Sequence, residues 1–449
     1  MNAKAPSCWL LRGASPAAIA EHLDPLRFQQ DAIGGTYGDG PLTLALVEPH
    51  HGSLSAQAAI ALRELAHGAP IALADHGIYF DPSPPGLASL TFLLPGQGSQ
   101  YTGMLAGLSG VLPNFHAHLG ALDDTWKSLF QESLLAVVHR QKTDAHDREL
   151  RDTRRAQPAI GLVSLAAARA LEALGITPNS LAGHSYGELS SLAIARVLDD
   201  HTFLRLSEAR GRLLGEAGDQ APGAMTAVFA PADVVGRLLD AVHGTVVVAN
   251  HNAPDQVVLS GALASLEAVE ANAARLGLRT VRLRTSCAFH SPLMAPVATR
   301  WRTVLDQAVF HPIGASRIVG NVTARPYAET VDALREGLER QITAPVRWVD
   351  SVEQLFASGA RIFLEVGPGR VLSDLTARIL ETRSYTVLPL DPLNKDPRVH
   401  WAHLFARLAS LGVPLNASPF GASMNRPPSA IPSPSVSTAP EHAPLETFF

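Results

Sequence analysis

From Leu90 onward the chain repeats one texture: a short apolar run, a glycine-rich turn, then a longer stretch with helical spacing of its apolar residues. LTFLLPGQGSQ (90–100), SLAGHSYGELSSLAIARVL (180–198) and RIFLEVGPGRVLSDLTARIL (361–380) all follow it. Strand, tight turn and helix in that order predict a layered α/β fold whose functional groups gather at the strand ends. Upstream, the strand-like runs CWLLR, LTLALVE and GIYF alternate with the helix-like patterns SPAAIAEHLDPL and SLSAQAAIALRELAHG. Ser15 and Pro16 stand where an N-cap and first helical residue belong. Residues 1–88 therefore read as a small α/β unit of their own, closed by the breaker run DPSPPG at 81–86.

Between about residues 221 and 284 the pattern tightens into MTAVFA, ADVVGRLLDAV, TVVVAN, QVVLSG, ASLEAVEANAARLG and RTVRLR. This βαββαβ order predicts a ferredoxin-like insert within a larger domain spanning 89–415. Residues 416–449, rich in Pro, Ser and Ala, carry little apolar periodicity and are expected to form a disordered linker or tail.

At 449 residues and 46% hydrophobic content the chain can bury a sizeable core. A net charge of -5 and the absence of any long Lys/Arg run speak against nucleic acid or an anionic membrane as partner. Two cysteines, Cys8 and Cys287, are too few for a disulfide framework and have no metal-cluster spacing. The N-terminus falls short of a secretory signal, and no run reaches the roughly 18 apolar residues of a membrane span. A soluble cytoplasmic protein is the expectation.

Chemistry enters with GHSYG at 183–187, a GxSxG turn between a short strand and a helix-compatible run. Small residues on both sides permit a sharp bend that exposes Ser185 above a helix N-terminus, where backbone N–H groups can stabilise an oxyanion. The plain alternative is a serine that caps a helix. A serine nucleophile needs a base, and of 18 histidines His290 stands out, lying in TSCAFHSPLM between an apolar segment and a Ser-Pro turn. An ordinary surface or core histidine is the competing interpretation. His184, beside the serine, reads as a structural hydrogen-bonding residue, because neighbouring side chains on a tight turn diverge.

FLRLSEARGRLLGEA (203–217) reads as a helix with an apolar stripe of Phe203, Leu206, Leu213, Leu214 and Ala217. Arg210 falls on that stripe, whereas Arg205, Glu208, Arg212 and Glu216 share the opposite face at pairing distance. An inward guanidinium cannot lose its charge and needs a carboxylate or phosphate partner. From spacing alone, a protein acid and a substrate carboxylate remain equal candidates.

These segments, taken with PGAM (222–225), NAPDQVVLSG (252–261), GNVTARP (320–326) and QITAPVRW (341–348), resemble in order the acyltransferase domains of polyketide synthases and the malonyl-CoA:acyl carrier protein transacylases. Nine ordered matches cover about residues 90–411, and the N-terminal unit resembles the linker subdomain that precedes acyltransferase domains in modular synthases. The resemblance implies a hydrolase-like α/β core with a ferredoxin-like subdomain and a ping-pong transfer through an acyl-serine ester. It implies Ser185 as nucleophile and His290 as base, oriented by the main-chain carbonyl of Gln341 in place of a triad acid. The backbone N–H groups of Gln97 and Tyr186 take the oxyanion positions. Arg210 matches the arginine that holds an extender's free carboxylate, and Phe289 and Asn252 fall on the substrate side. Coenzyme A enters as a leaving group, with no metal or resident cofactor implied. The implied partners are malonyl-CoA, an acyl carrier protein and polyketide synthase modules.

AFH before Ser291 resembles the malonyl-selecting form, with Phe289 crowding an α-methyl group, although Tyr186 and Cys287 depart from the residues usual at their positions. An acyl hydrolase that edits carrier proteins is the first alternative, and Arg210 argues against it. A non-catalytic docking component is the second, against which every matched position is chemically competent. The initiator Met and the unpatterned tail favour a free-standing enzyme.

Overall fold

In a computed structural model of the chain, the described residues are 6–23, 35–49, 53–220, 223–285, 287–393 and 395–415. The segment 416–449, where a disordered tail is expected, lies outside them. The N-terminal unit contains β1 (Cys8–Gly13), β2 (Gly35–Tyr37), β3 (Leu42–Val47), β4 (Ile71–Leu73) and β5 (Ile78–Phe80) in the sheet order β2-β1-β3-β5-β4. Strand β2 lies parallel to β1, and the other pairings are antiparallel. Strands β2 and β4, of three residues each, left no alternating signal to find in the sequence, whereas the equally short β5 lies in the run GIYF.

Side chains on this sheet alternate strictly. Trp9, Leu11, Leu44, Leu46, Ile78 and Phe80 face one way, onto the helices Pro16–Ala20 and Leu54–Leu65. Leu10, Ala45, Val47 and Tyr79 face the other way and join the main core through Trp401, Phe405 and Leu408 of the helix Pro397–Ser410. Tyr79 Oη meets His403 Nδ1 at 2.7 Å, and Gly86 N donates to the Leu411 carbonyl at 2.9 Å. The N-terminal unit is thus welded to the end of the described chain by one shared apolar layer.

The central sheet begins with β6 (Leu90–Leu94) and β7 (Ser180–Gly183). The chain then forms the insert, with β8 (Ala224–Val228), β9 (Val246–Ala253), β10 (Gln256–Gly261) and β11 (Thr280–Arg282) in the order β11-β8-β10-β9. All three pairings are antiparallel, and two helices connect the strands, which is the ferredoxin-like arrangement. The central sheet is completed by β12 (Arg317–Val319), β13 (Ile362–Pro368) and β14 (Thr386–Asp391), giving an all-parallel β12-β7-β6-β13-β14. Both of its faces are covered, so its strands read as continuous apolar runs. Phe92 and Leu94 pack in the core that holds the 21-residue helix Thr153–Ala173, while Leu93 packs with Trp348, Val352 and Leu375 on the opposite face.

Parallel strands bring their carboxyl ends to one edge. The turns after β6, β7 and β12 therefore place Gln97, Ser185 and Asn321 side by side. The insert reaches the same edge through β9, where His251 N donates to Val346 O at 3.0 Å and Val346 N returns a bond to Ala249 O at 2.8 Å. Phe405 is 1% exposed in the layer that joins the N-terminal unit to the core. Phe405→Ala is expected to cost about 3–5 kcal/mol of stability. It should leave a single unfolding transition in urea, because the layer is shared; two separated transitions would show the unit to be independent.

Candidate active site

Two backbone kinks aim the reactive side chains. Ser185 sits at φ 51° and His290 at φ 57°, a left-handed conformation that non-glycine residues adopt only where the surrounding structure enforces it. At Ser185 the enforcement comes from crowding and from Asn321. A Cβ on Gly183 would lie 1.9 Å from the carbonyl carbon of Gly187, and one on Gly187 would lie 2.0 Å from the Leu94 oxygen, so both arms of the turn must be glycine. Asn321 clamps the bend, accepting from Ser185 N at 2.7 Å and donating to Gly183 O at 2.6 Å. The helix Gly187–Ile194 follows, shorter than the apolar run suggested, ending before Arg196 at φ 63°.

Ser185 Oγ lies 2.7 Å from His290 Nε2, and the other ring nitrogen of His290 faces the carbonyls of Gln341 at 2.8 Å and Ala344 at 3.1 Å. Two carbonyl acceptors require Nδ1 to carry the proton, which leaves Nε2 free to take one from the serine. His290 is 4% exposed, and burial together with the nearby Arg210 charge pushes its pKa down to about 3. The imidazole is therefore neutral, as a base must be.

The loop after β6 covers the nucleophile, since a Cβ on Gly96 would come within 3.5 Å of Tyr186 N. Gln97 lines the cleft, and its side-chain oxygen accepts from Thr153 Oγ1 at 2.7 Å. The Tyr186 side chain turns away from the cleft floor into the core, where its hydroxyl meets Ser207 Oγ at 2.8 Å on the helix that carries Arg210. His184 and Asn252 pair at 2.8 Å, and the His184 ring stands edge-on to Trp348. Burial lowers the His184 pKa to about 4, so it is a neutral hydrogen-bonding residue. Phe289 is partly buried and packs against the insert cluster of Met225, Ala227, Ala249 and Val258.

Arg210 is on the inward face of the helix Asp200–Gln220 and 5% exposed. Its partners are neutral: Gln157 Oε1 at 2.7 Å and Gln341 Oε1 at 3.0 Å. Among the described residues no carboxylate lies within ion-pair distance of it. Burial lowers its pKa to about 10, leaving it charged at neutral pH. On the opposite face Arg212 pairs with Glu208 at 3.0 Å and Glu216 at 3.2 Å, and Arg205 is exposed. One cleft holds Ser185, His290, Gln97, Arg210, Asn252 and Phe289 together, so a candidate nucleophile, a candidate base and a cation with neutral partners converge.

Residues 91–409 match the family described as acyl transferase domain. The chain belongs to that family. The malonyl CoA-acyl carrier protein transacylase of Bacillus subtilis (strain 168) is 33% identical over 311 residues, covering 68% of this chain and 95% of that protein. Among solved structures, the second-module acyltransferase domain of the salinomycin polyketide synthase is 30% identical, with a TM-score of 0.69 over 85% of this chain and 87% of its own. A malonyl-transacylase in complex with its holo type II polyketide acyl-carrier protein is 32% identical, with a TM-score of 0.64 over 72% of this chain and 99% of its own. The chain is an acyltransferase, with the hydrolase-like core and ferredoxin-like insert that its sequence suggested.

Four residues of the acyltransferase site carried no role in the sequence. Gln157, Glu188, Asn321 and Tyr327 are polar groups in or beside apolar runs; Asn321 lies within the GNVTARP segment and Tyr327 directly follows it. The buried polar residue within an apolar helix was the available signal for Gln157 and Glu188. A depressed histidine pKa keeps the base deprotonated down to low pH. The acylation rate of Ser185 by the neutral ester p-nitrophenyl acetate is therefore expected to stay flat from pH 8 to about pH 5, where an unperturbed histidine would fall away near 6.5. Arg210→Ala removes a positive charge that disfavours the imidazolium, so its inflection should move to higher pH. A wild-type inflection near 6.5 would contradict both.

Proposed function

We propose that this acyltransferase carries a malonyl group from coenzyme A to the phosphopantetheine thiol of an acyl carrier protein through an ester on Ser185. The observation that carries the proposal is Arg210, a buried guanidinium beside the Ser185–His290 pair that is held by two neutral amide oxygens. Among the described residues no carboxylate reaches it at ion-pair distance, and a malonyl carboxylate supplies one. An acetyl group leaves the cation unpaired, which gives discrimination through the penalty on a buried lone charge. His290 takes the serine proton as Oγ attacks the thioester, the tetrahedral adduct collapses with His290 returning that proton to the leaving coenzyme A sulfur, and the carrier thiol runs the same steps in reverse. No metal or resident cofactor has a step in this scheme.

The same arginine disfavours a carrier-protein acyl hydrolase, which has no use for a carboxylate receptor. Polyketide assembly is the context we favour, because the salinomycin-synthase domain aligns with more of this chain than the bacterial transacylase does, 85% against 68%. Its acyl carrier partner and synthase modules are inferred on the same ground. Two buried cysteines held as thiols rather than as a disulfide suit the reducing cytoplasm, and among the described residues no helix is long and apolar enough to cross a membrane.

Incubation with malonyl-, methylmalonyl- and acetyl-CoA, followed by intact mass measurement, tests this. The expected result is a malonyl adduct that is absent in Ser185→Ala and passes to a phosphopantetheinylated carrier protein. In Arg210→Ala, malonyl loading should fall roughly 100-fold or more while acetyl loading becomes competitive. Rapid acyl hydrolysis without transfer would make the protein an editing hydrolase.

A further inference from the structure

Glu188 lies three residues past Ser185, in the first turn of the helix Gly187–Ile194, and is fully buried. None of the steps above uses it. Its two oxygens are nonetheless fully engaged. Oε1 accepts from Tyr327 Oη at 2.5 Å and from the Asn321 backbone N–H at 3.2 Å, and Oε2 accepts from the Gln341 amide nitrogen. Three donors converge on one side chain, which is the setting of an acceptor-only group.

The Gln341 amide links this carboxylate to the cation. Its nitrogen also donates to Ser185 O at 2.9 Å, and its oxygen accepts from Arg210 at 3.0 Å. A glutamine amide can occupy the same space in two orientations that exchange its oxygen and nitrogen. Only one of them suits Arg210, because a turned amide would point N–H groups at a guanidinium. The main-chain carbonyl of Gln341, which meets His290, is indifferent to that choice.

We propose that Glu188 is a positioning residue: by accepting from the Gln341 amide nitrogen it fixes the amide's orientation, so that the amide oxygen holds Arg210 in the pose that receives the acyl carboxylate. The proposal rests on the malonyl-transfer function argued above. An isosteric amide at position 188 would break this arrangement. Its oxygen would be retained by the Asn321 N–H, which is backbone and cannot turn, together with the Tyr327 hydroxyl. Its NH2 would then face the NH2 of Gln341. The group free to give way is the Gln341 side chain, and giving way means turning its donors toward Arg210. Glutamate at 188 is the choice that offers acceptors in both directions.

The test compares Glu188→Gln, Gln341→Ala and Tyr327→Phe in the full chain, measuring kcat/KM for loading of malonyl-CoA and of acetyl-CoA by intact mass, with kcat and KM separated for malonyl-CoA. Glu188→Gln is expected to lower the malonyl-to-acetyl ratio by about tenfold or more, through KM rather than kcat, as for loss of a hydrogen bond to a charged group. Gln341→Ala keeps its main-chain carbonyl and should lose the ratio in the same way. Tyr327→Phe leaves the carboxylate and its acceptor toward Gln341 in place, and should hold the ratio within about threefold. A folded Glu188→Gln with the wild-type ratio would overturn the proposal. So would an equal loss in Tyr327→Phe, since that is the mark of general packing. Should Glu188→Gln fail to fold, a wild-type ratio in Gln341→Ala overturns it alone. Wild-type enzyme that loads no malonyl would instead remove the functional reading, and this proposal with it.

Discussion

A guanidinium that cannot neutralise itself has been taken out of water and left without a carboxylate. Arg210 is 5% exposed and held by Gln157 and Gln341, both neutral acceptors. Such a group is expensive to bury and is retained here in an unsatisfied electrostatic state. Much of the cleft follows from it. The helix Thr153–Ala173 presents Gln157, with Thr153 and Gln97 bonded in series behind it. The helix Val331–Gln341 ends where its last side chain can reach the same cation. The charge also acts on His290, adding to burial in keeping the imidazole unprotonated. In the proposed malonyl transfer one buried cation thereby serves substrate discrimination and base strength together. Their coupling has a direction: an acyl carboxylate that neutralises Arg210 makes the imidazole easier to protonate, and so a better acceptor at the moment the serine must be deprotonated.

The second constraint is backbone conformation. Ser185 and His290 both occupy the left-handed region, and each is held there by hydrogen bonds from a distant segment. Asn321, from beyond β12, brackets the serine, while the end of the helix Val331–Gln341 and the turn after it receive the histidine. No carboxylate orients the base. A pair of carbonyl oxygens fixes the tautomer without adding a negative charge, which suits exchange between a thioester and an oxygen ester of similar energy, where orientation matters more than driving force.

Much of this was legible from the chain alone because it lies in local patterns. GxSxG between a strand and a helix marked Ser185, a Ser-Pro loop marked His290, and one cation on an apolar helical stripe marked Arg210. The βαββαβ order of the insert survived intact because most of its elements are long enough to show their period, and three-residue β11 is extended by its neighbours in RTVRLR. What could not be read are relations between segments far apart in sequence. Nothing near Glu188 announces that Tyr327 and Gln341 will meet it, since those contacts span 139 and 153 residues. The spacing around Arg210 likewise left its partner open, and the answer, two glutamines, is a chemistry that no charge pattern encodes. The short strands β2 and β4 escaped for a simpler reason: three residues carry too little pattern unless their neighbours extend it, as they do around β11 in RTVRLR.

The division of the cleft between two folding units separates two kinds of discrimination. Arg210, Gln157 and Gln341 belong to elements of the core, and they respond to charge. Phe289 belongs to the loop that returns from the insert, and it packs on the underside of the insert sheet against Met225, Ala227, Ala249 and Val258. In the proposed transfer it is the residue that meets bulk on the acyl group. A change in the packing of that apolar cluster moves the wall that faces the α-carbon of an acyl group, yet breaks none of the hydrogen bonds around the cation. Size selection can therefore drift through substitutions in the insert while the requirement for a carboxylate stays fixed by the core. An insert tied through the backbone bonds of β9 with Val346 to one edge of a rigid parallel sheet is a physical arrangement that permits the first to vary without loss of the second.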